Sequence, residues 1–203
     1  VSLLLIDDRE VDIANTAWKV VGSFASSEID PHWMVKLFDI AIDILMDRFN
    51  LRTFAENEEE ILTCSWRVRC STLTFLQTIV SQNMFFLTSE KIGKLLECLY
   101  VSMGHSQVEV RHTAGATLSG VLRFMDEENQ VQLWDKFAEE ARKELPKNKI
   151  SLIGKEQLIF RHRAVLGMAA IVNVHPYSIP TWFPERLVEF ATHIHDPVPV
   201  KVC

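Results

Sequence analysis

The sequence predicts an all-α fold, an α-solenoid of HEAT- or armadillo-like helix pairs, and three observations predict it. A hydrophobe followed by Arg or Lys recurs at Val68-Arg69, Val110-Arg111, Phe160-Arg161 and Val200-Lys201, at intervals of 42, 50 and 40 residues. A period of roughly 40–47 residues marks helix pairs that bury their apolar faces by stacking on their neighbours. Apolar residues recur at helical spacing, and no segment alternates as a strand would. The chain has 203 residues, of which 48% are hydrophobic, with 7 Gly and 7 Pro, enough apolar content for a substantial core. The expected organisation is a single helical segment over 1–203. It comprises a first helix pair and linker over 1–64, a repeat region over 65–199, and the truncated start of a further repeat over 200–203.

Helical periodicity covers Val11 to Ser23 and Trp33 to Phe49. Asp30-Pro31 opens the second of these with a cap and a first-turn proline, and Trp33, Leu37, Ile40, Ile44 and Leu45 form its apolar stripe. The acidic run Glu56 to Glu60 offers a surface for basic histone tails, but a charge run beside a helix start is normally solvated. Ser65 to Phe86 and Ser89 to Met103 form the next pair. Gln107 to Phe124 carries Ala114, Gly115, Ala116, Ser119 and Gly120, small side chains that let another helix approach closely.

An amphipathic helix runs from Glu127 to Leu145 through Val131, Leu133, Trp134 and Phe137. Pro146 to Gly154 reads as a solvated loop; with Arg142, Lys143, Lys147 and Lys149 it is also a local basic patch suited to nuclear import or a polyanion. Gln157 to Val174 is again rich in small residues. Pro176, Pro180 and Pro184 then forbid a continuous helix, so the segment from His175 must turn stiffly before a helix from Leu187 to His195.

Composition excludes several classes of function. A net charge of −6 and a pI near 5.7 argue against direct nucleic-acid binding, which normally uses a basic face. No apolar run approaches the ~20 residues of a membrane span, and the opening Val1 to Asp8 lacks the features of a secretory signal. Starting at Val rather than Met suggests an internal piece of something longer. Cys64, Cys70, Cys98 and Cys203 form no CxxC pair and have no His at zinc spacing, so reduced thiols of a nuclear or cytoplasmic protein are expected, with no metal and no cofactor.

The seven histidines show no HExxH and no carboxylate placed to orient a base, and no nucleophile elbow, P-loop or dinucleotide turn occurs, so no enzyme is expected. The pairs Arg67 with Arg69 and Arg161 with Arg163 could clamp phosphates, yet in stacked helical repeats such positions more commonly satisfy helix ends. Trp66, Trp134 and Trp182 sit in apolar contexts that favour core packing over ligand stacking.

Several segments together resemble one family. They are Ser65-Trp66 with Leu73 to Thr78, Gln107 to Arg111 with Ala114 and Thr117 to Gly120, and Arg161-His162 with Val165 to Gly167. Pro176-Tyr177 with Pro180-Thr181-Trp182 and Pro184, then His193 with Asp196-Pro197, complete the set. In this order and spacing they resemble the C-terminal region of the large Blm10-type proteasome activator family over about Ser65 to Pro199.

The resemblance implies a fragment of a long helical solenoid capping the 20S proteasome α-ring. It implies stimulation of peptide hydrolysis without ATP and without protease activity of its own. It also implies a link to breakdown of acetylated core histones in DNA repair and spermatogenesis. Relatives run on to a hydrophobe-Tyr-any docking motif, whereas this sequence ends Val200-Lys201-Val202-Cys203, so anchoring by that route is not expected of this piece. The family's acetyl-lysine reader places an Asn-Phe pair just after the small-residue helix, where this chain has Met125-Asp126. Phe124 and Asn129 are the nearest candidates for an apolar wall and an amide donor. A generic HEAT or armadillo interaction adaptor is the alternative reading.

Overall fold

The computed structural model describes residues 2–3, 5–25, 27, 30–47, 64–143 and 152–196; for 152–155 and 195 only the backbone is described. Among these residues it forms eight α-helices, three short 3₁₀ turns and no strand. The helices are α1 Val11–Ala25, α2 Pro31–Leu45, α3 Trp66–Asn83, α4 Ser89–Ser102, α5 Val108–Leu122, α6 Glu127–Arg142, α7 Leu152–Val172 and α8 Phe183–Thr192. They divide into two compact units, Val1–Ser102 and Met103–Cys203. The all-α helical-repeat class read from the sequence is the class observed.

In the first unit, α3 packs against both α1 and α2. Asp30 starts α2 by accepting from the His32 N–H at 2.9 Å, and Pro31 supplies a pre-set φ at the first helical position. The buried face of α2 is Met34, Phe38, Ala41, Ile42, Ile44 and Leu45. The expected stripe is therefore right at its end and misplaced at its start. Trp33 and Ile40 are exposed, and Trp33 instead lies under the Lys36 ammonium at 4.8 Å. With so many apolar residues in α2, two overlapping stripes fit the spacing, and packing against α3 selects one.

Ser65 starts α3 by accepting from the Val68 N–H at 3.4 Å. Buried residues occur around most of its circumference, as expected for a helix with neighbours on more than one side. Its threonines do not oppose this burial: the Thr72, Thr74 and Thr78 hydroxyls each donate to a carbonyl four residues back. The helix ends at Asn83, and the remainder of the expected span, Met84–Phe86, tightens into a 3₁₀ turn. Helix α4 packs on α2 and is tied to it by Lys91 and Asp39 at 2.6 Å.

In the second unit, α7 lies against both α5 and α6. The small residues make this possible. A Cβ at Gly167 would stand 2.5 Å from the Phe137 ring, so α6 and α7 approach too closely for any side chain there. The loop expected over 146–154 is overturned at its end, because α7 begins at Leu152, five residues before Gln157. Leu152, Ile153 and Gly154 carry no breaker strong enough to stop a helix. The final helix also starts early, at Phe183, with Pro184 in its first turn and Phe183 buried. The acidic run 56–60, Lys147, Lys149 and the segment 197–203 lie outside the described residues.

Candidate functional site

The recurring arginines are spent on the protein's own backbone. Arg69, fourth residue of α3, donates from Nη1 to the carbonyl of Leu45, the last residue of α2, at 2.8 Å. Its Nη2 donates to Asp47 Oδ1 at 2.5 Å, and its Nε donates to Cys64 O at 3.3 Å. Asp47 holds a left-handed φ of 54°, a conformation that Asp tolerates better than most residues, and its carboxylate is fixed by that ion pair. Arg161 repeats the arrangement in the second unit. Its Nη2 donates to the carbonyl of Lys143, the cap of α6, at 2.8 Å, while Asp196 lies 3.6 Å from Nη1.

Arg111 serves the loop before its own helix, donating to His105 O at 2.8 Å and Ser106 O at 2.9 Å. Its Nε donates to Nδ1 of His162 on α7 at 2.7 Å. Helix ends leave carbonyls without intrahelical partners, and a guanidinium supplies several donors at once. Arg67 pairs with Asp7 at 3.2 Å, and Arg163 pairs with Glu140. These arginines are buttresses, and their geometry offers no phosphate clamp. Lys201, the fourth recurrence, lies outside the described residues.

The richest polar geometry lies at one end of the second unit. Arg111 meets His162, and Gly115 faces Leu166, so α5 and α7 run in the same direction. Their C-terminal turns, 123–126 and 173–182, therefore share an end. Gln130 ties the two turns together. Its Nε2 donates to Leu122 O and Met125 O, each at 3.1 Å, and its Oε1 lies 2.7 Å from His175 Nε2. Behind this clamp, Trp134 meets Trp182, Phe183 and Phe190 edge-to-face at ring separations of 5.9–6.4 Å. Trp134 and Phe183 are buried and Trp182 half-buried, whereas Trp66 is exposed, with Arg67 5.3 Å from its ring. The core reading of tryptophan thus fits Trp134 and Trp182 but not Trp66.

The acetyl-lysine candidates sit at this same end. Phe124 is 50% exposed in the turn after α5. Asn129 is exposed, and its backbone N–H and Nδ2 both donate to Asp126 Oδ1 at 2.8 Å. Asn129 thus completes the cap of α6. The buried amide in this corner is its neighbour Gln130, 3% exposed, with both donors and its acceptor engaged. Sequence reasoning passed over Gln130. Its signal was an amide on the apolar stripe shared with Trp134, Phe137 and Ala141.

Among the described residues, two titratable groups are strongly perturbed. Burial, then the Arg111 cation and His112, hold His162 down from 6.5 to about 4, so it stays neutral and accepts from Arg111. Burial pushes the Cys64 thiol up to about 11, against the pull of Arg69, which makes it a poor nucleophile. Among the described residues, no group of three or more His, Cys, Asp or Glu could hold a metal ion, and no helix is long and apolar enough to cross a membrane.

Comparison with known proteins bears directly on this architecture. A family model described as "Proteasome activator complex subunit 4-like, C-terminal" matches residues 158–202. The chain is 36% identical over 149 residues to the Homo sapiens protein named proteasome activator complex subunit 4, covering 68% of this chain. It is 37% identical over 141 residues to proteasome activator subunit 4 of Arabidopsis thaliana, again over 68% of this chain. With proteasome activator BLM10 of Saccharomyces cerevisiae it shares 32% identity over 123 residues, 57% of this chain and 6% of the yeast protein. The chain spans about 8% of the length of the human and plant relatives.

Proposed function

We propose that this chain, a member of the proteasome activator complex subunit 4 family, is a contact segment of a much longer ATP-independent activator of the 20S proteasome. The observation that carries this reading is the similarity to proteasome activators of animal, plant and yeast, which extends over two thirds of the chain in the animal and plant proteins. The site chemistry supports it. Three recurring arginines fix helix ends and loops, and the buried His162 and half-buried Cys64 side chains are poised for packing rather than catalysis. In this reading the segment works by shape and contact, the full-length protein seats on the proteasome α-ring, and the peptide bonds are cut inside the barrel.

The test is reconstitution. A full-length protein containing this segment, mixed with purified 20S particles, is expected to co-sediment with them and to raise fluorogenic-peptide hydrolysis without ATP. Failure of both would return the chain to a general interaction adaptor, and hydrolysis by the isolated chain would make it an enzyme.

We further propose acetylated core histones as clients, action in nucleus and cytoplasm, and roles in DNA repair and spermatogenesis, all on the family resemblance. A pocket built on Phe124 and Asn129 requires the Asn129 amide to turn from Asp126 toward an acetyl carbonyl, at a cost of about 1 kcal/mol for the lost hydrogen bond. Titrating acetylated and unmodified H4 tail peptides into the chain decides the matter: tighter acetylated binding supports the pocket, and equal or absent binding removes it.

A further inference from the structure

The end of the second unit that carries the two clamped turns also carries apolar side chains that the fold leaves in water. Tyr177 is fully exposed, Ile179 is 69% exposed and Phe124 is 50% exposed, whereas Trp182 and Phe183, further along the chain, join Trp134 in the aromatic cluster. Phe124 stands in one turn; Tyr177 and Ile179 stand in the other, between Pro176 and Pro180. The prolines fix φ on both sides of the pair, and Gln130 bonds each turn to the other. The backbone freedom lost on contact is thereby reduced, which favours binding by exposed apolar groups.

The charge around them has one predominant sign. Glu127 and Glu128 open α6 and Glu185 opens α8, so both helix starts bring carboxylates to this end. All three are exposed, and none is in an ion pair among the described residues. Asp126 is held by the α6 cap, and Arg186, the cation of the first turn of α8, is paired with Asp135. Arg123 is the remaining cation of the two turns. An apolar tip ringed by carboxylates complements a partner with the opposite charge and the same apolarity.

We infer that this end is a docking surface for a cationic protein segment that presents Lys or Arg around an aliphatic or aromatic anchor. The anchor packs on Tyr177, Ile179 and Phe124, while the cations face Glu127, Glu128 and Glu185. Such a segment must keep its charge, so lysine acetylation weakens it. That sets this inference apart from the acetyl-lysine pocket, on which it does not depend.

The experiment uses the 203-residue chain and a fluorescein-labelled peptide of alternating Lys and Leu, with Lys/Ser, Glu/Leu and acetyl-Lys/Leu peptides as comparisons, read by fluorescence anisotropy. The Lys/Leu peptide is expected to bind, and each comparison peptide to bind at least about tenfold more weakly. Y177S/I179S and E127Q/E128Q/E185Q should each weaken Lys/Leu binding by about tenfold, while D12N/E97Q, which removes charge elsewhere, should not. Circular dichroism confirms that each variant stays helical. Absence of Lys/Leu binding, equal binding by the Y177S/I179S variant, or equal loss in D12N/E97Q would overturn the inference. Tighter binding of the acetylated peptide would overturn it in favour of the acetyl-lysine pocket.

Discussion

Gly167 and Gly115 occupy similar small-residue helices and look alike in sequence, yet they tolerate a side chain very differently. A Cβ at Gly167 meets the Phe137 ring at 2.5 Å, whereas a Cβ at Gly115 meets Leu166 at 3.9 Å, an ordinary contact. G167A is therefore expected to cost about 2 kcal/mol through overpacking. G115A should be neutral or stabilise by up to about 1 kcal/mol through helix propensity. The shift of the urea midpoint measures both. Arg69 gives a second contrast. R69M keeps the volume but strips Leu45 O and Asp47 of a buried donor, and about 2–3 kcal/mol should be lost. D47N removes only the exposed half of the pair and should cost about 1 kcal/mol or less by the same measurement. The recurrence of a hydrophobe and Arg was plain in the sequence, and so was its structural use. Which carbonyl each arginine reaches was not, because those partners lie 5 to 24 residues away and depend on how the preceding helix or loop ends.

Helix by helix, the contact between α5 and α7 carries a pH dependence. His162 ionises near 6.5 in an unfolded chain and at about 4 in the fold, where burial and Arg111 disfavour its cation. Between these values the unfolded state binds more protons, so stability is fully present above about pH 6.5 and declines as pH falls toward 4. The expected loss is about 2 kcal/mol, allowing for screening. H162N retains a side-chain acceptor facing Arg111 but cannot titrate. Its denaturation midpoint should fall less steeply with pH over that window, and a slope equal to that of the parent would refute the assignment. The start of α2 at Asp30-Pro31 was legible because capping chemistry is local. The start of α7 was not: the sequence from Pro146 onward reads as loop, yet the helix begins at Leu152. The buried face of α2 was ambiguous for the related reason that apolar residues exceed what one face can hold.

Across the chain as a whole, the excess of carboxylates governs what it attracts. With 27 Asp and Glu against 21 Lys and Arg, it should release few counterions from a phosphate backbone. No shift of duplex DNA is expected at physiological salt in an electrophoretic assay at micromolar protein, and a salt-dependent shift would contradict that reading. Arg142, a member of the basic patch read around the α6–α7 connection, is held by Glu189 through two donors at 2.6 and 2.9 Å, which reduces what that patch can offer a polyanion.

Helical class, the cap that opens α2 and net charge could all be read from the order of residues, because periodicity and capping depend on neighbours within a few turns of chain and charge simply adds along it. The placement of Phe124 and Asn129 shows where such reading stops. The sequence put an aromatic and an amide close together, and folding exposed the aromatic, gave Asn129 to a helix cap and buried Gln130 as the link between two turns. One step along a helix rotates a side chain by about 100°, enough to exchange solvent for core. Which of two adjacent amides faces inward is set by the helices packed around it, and that arrangement is a property of the fold.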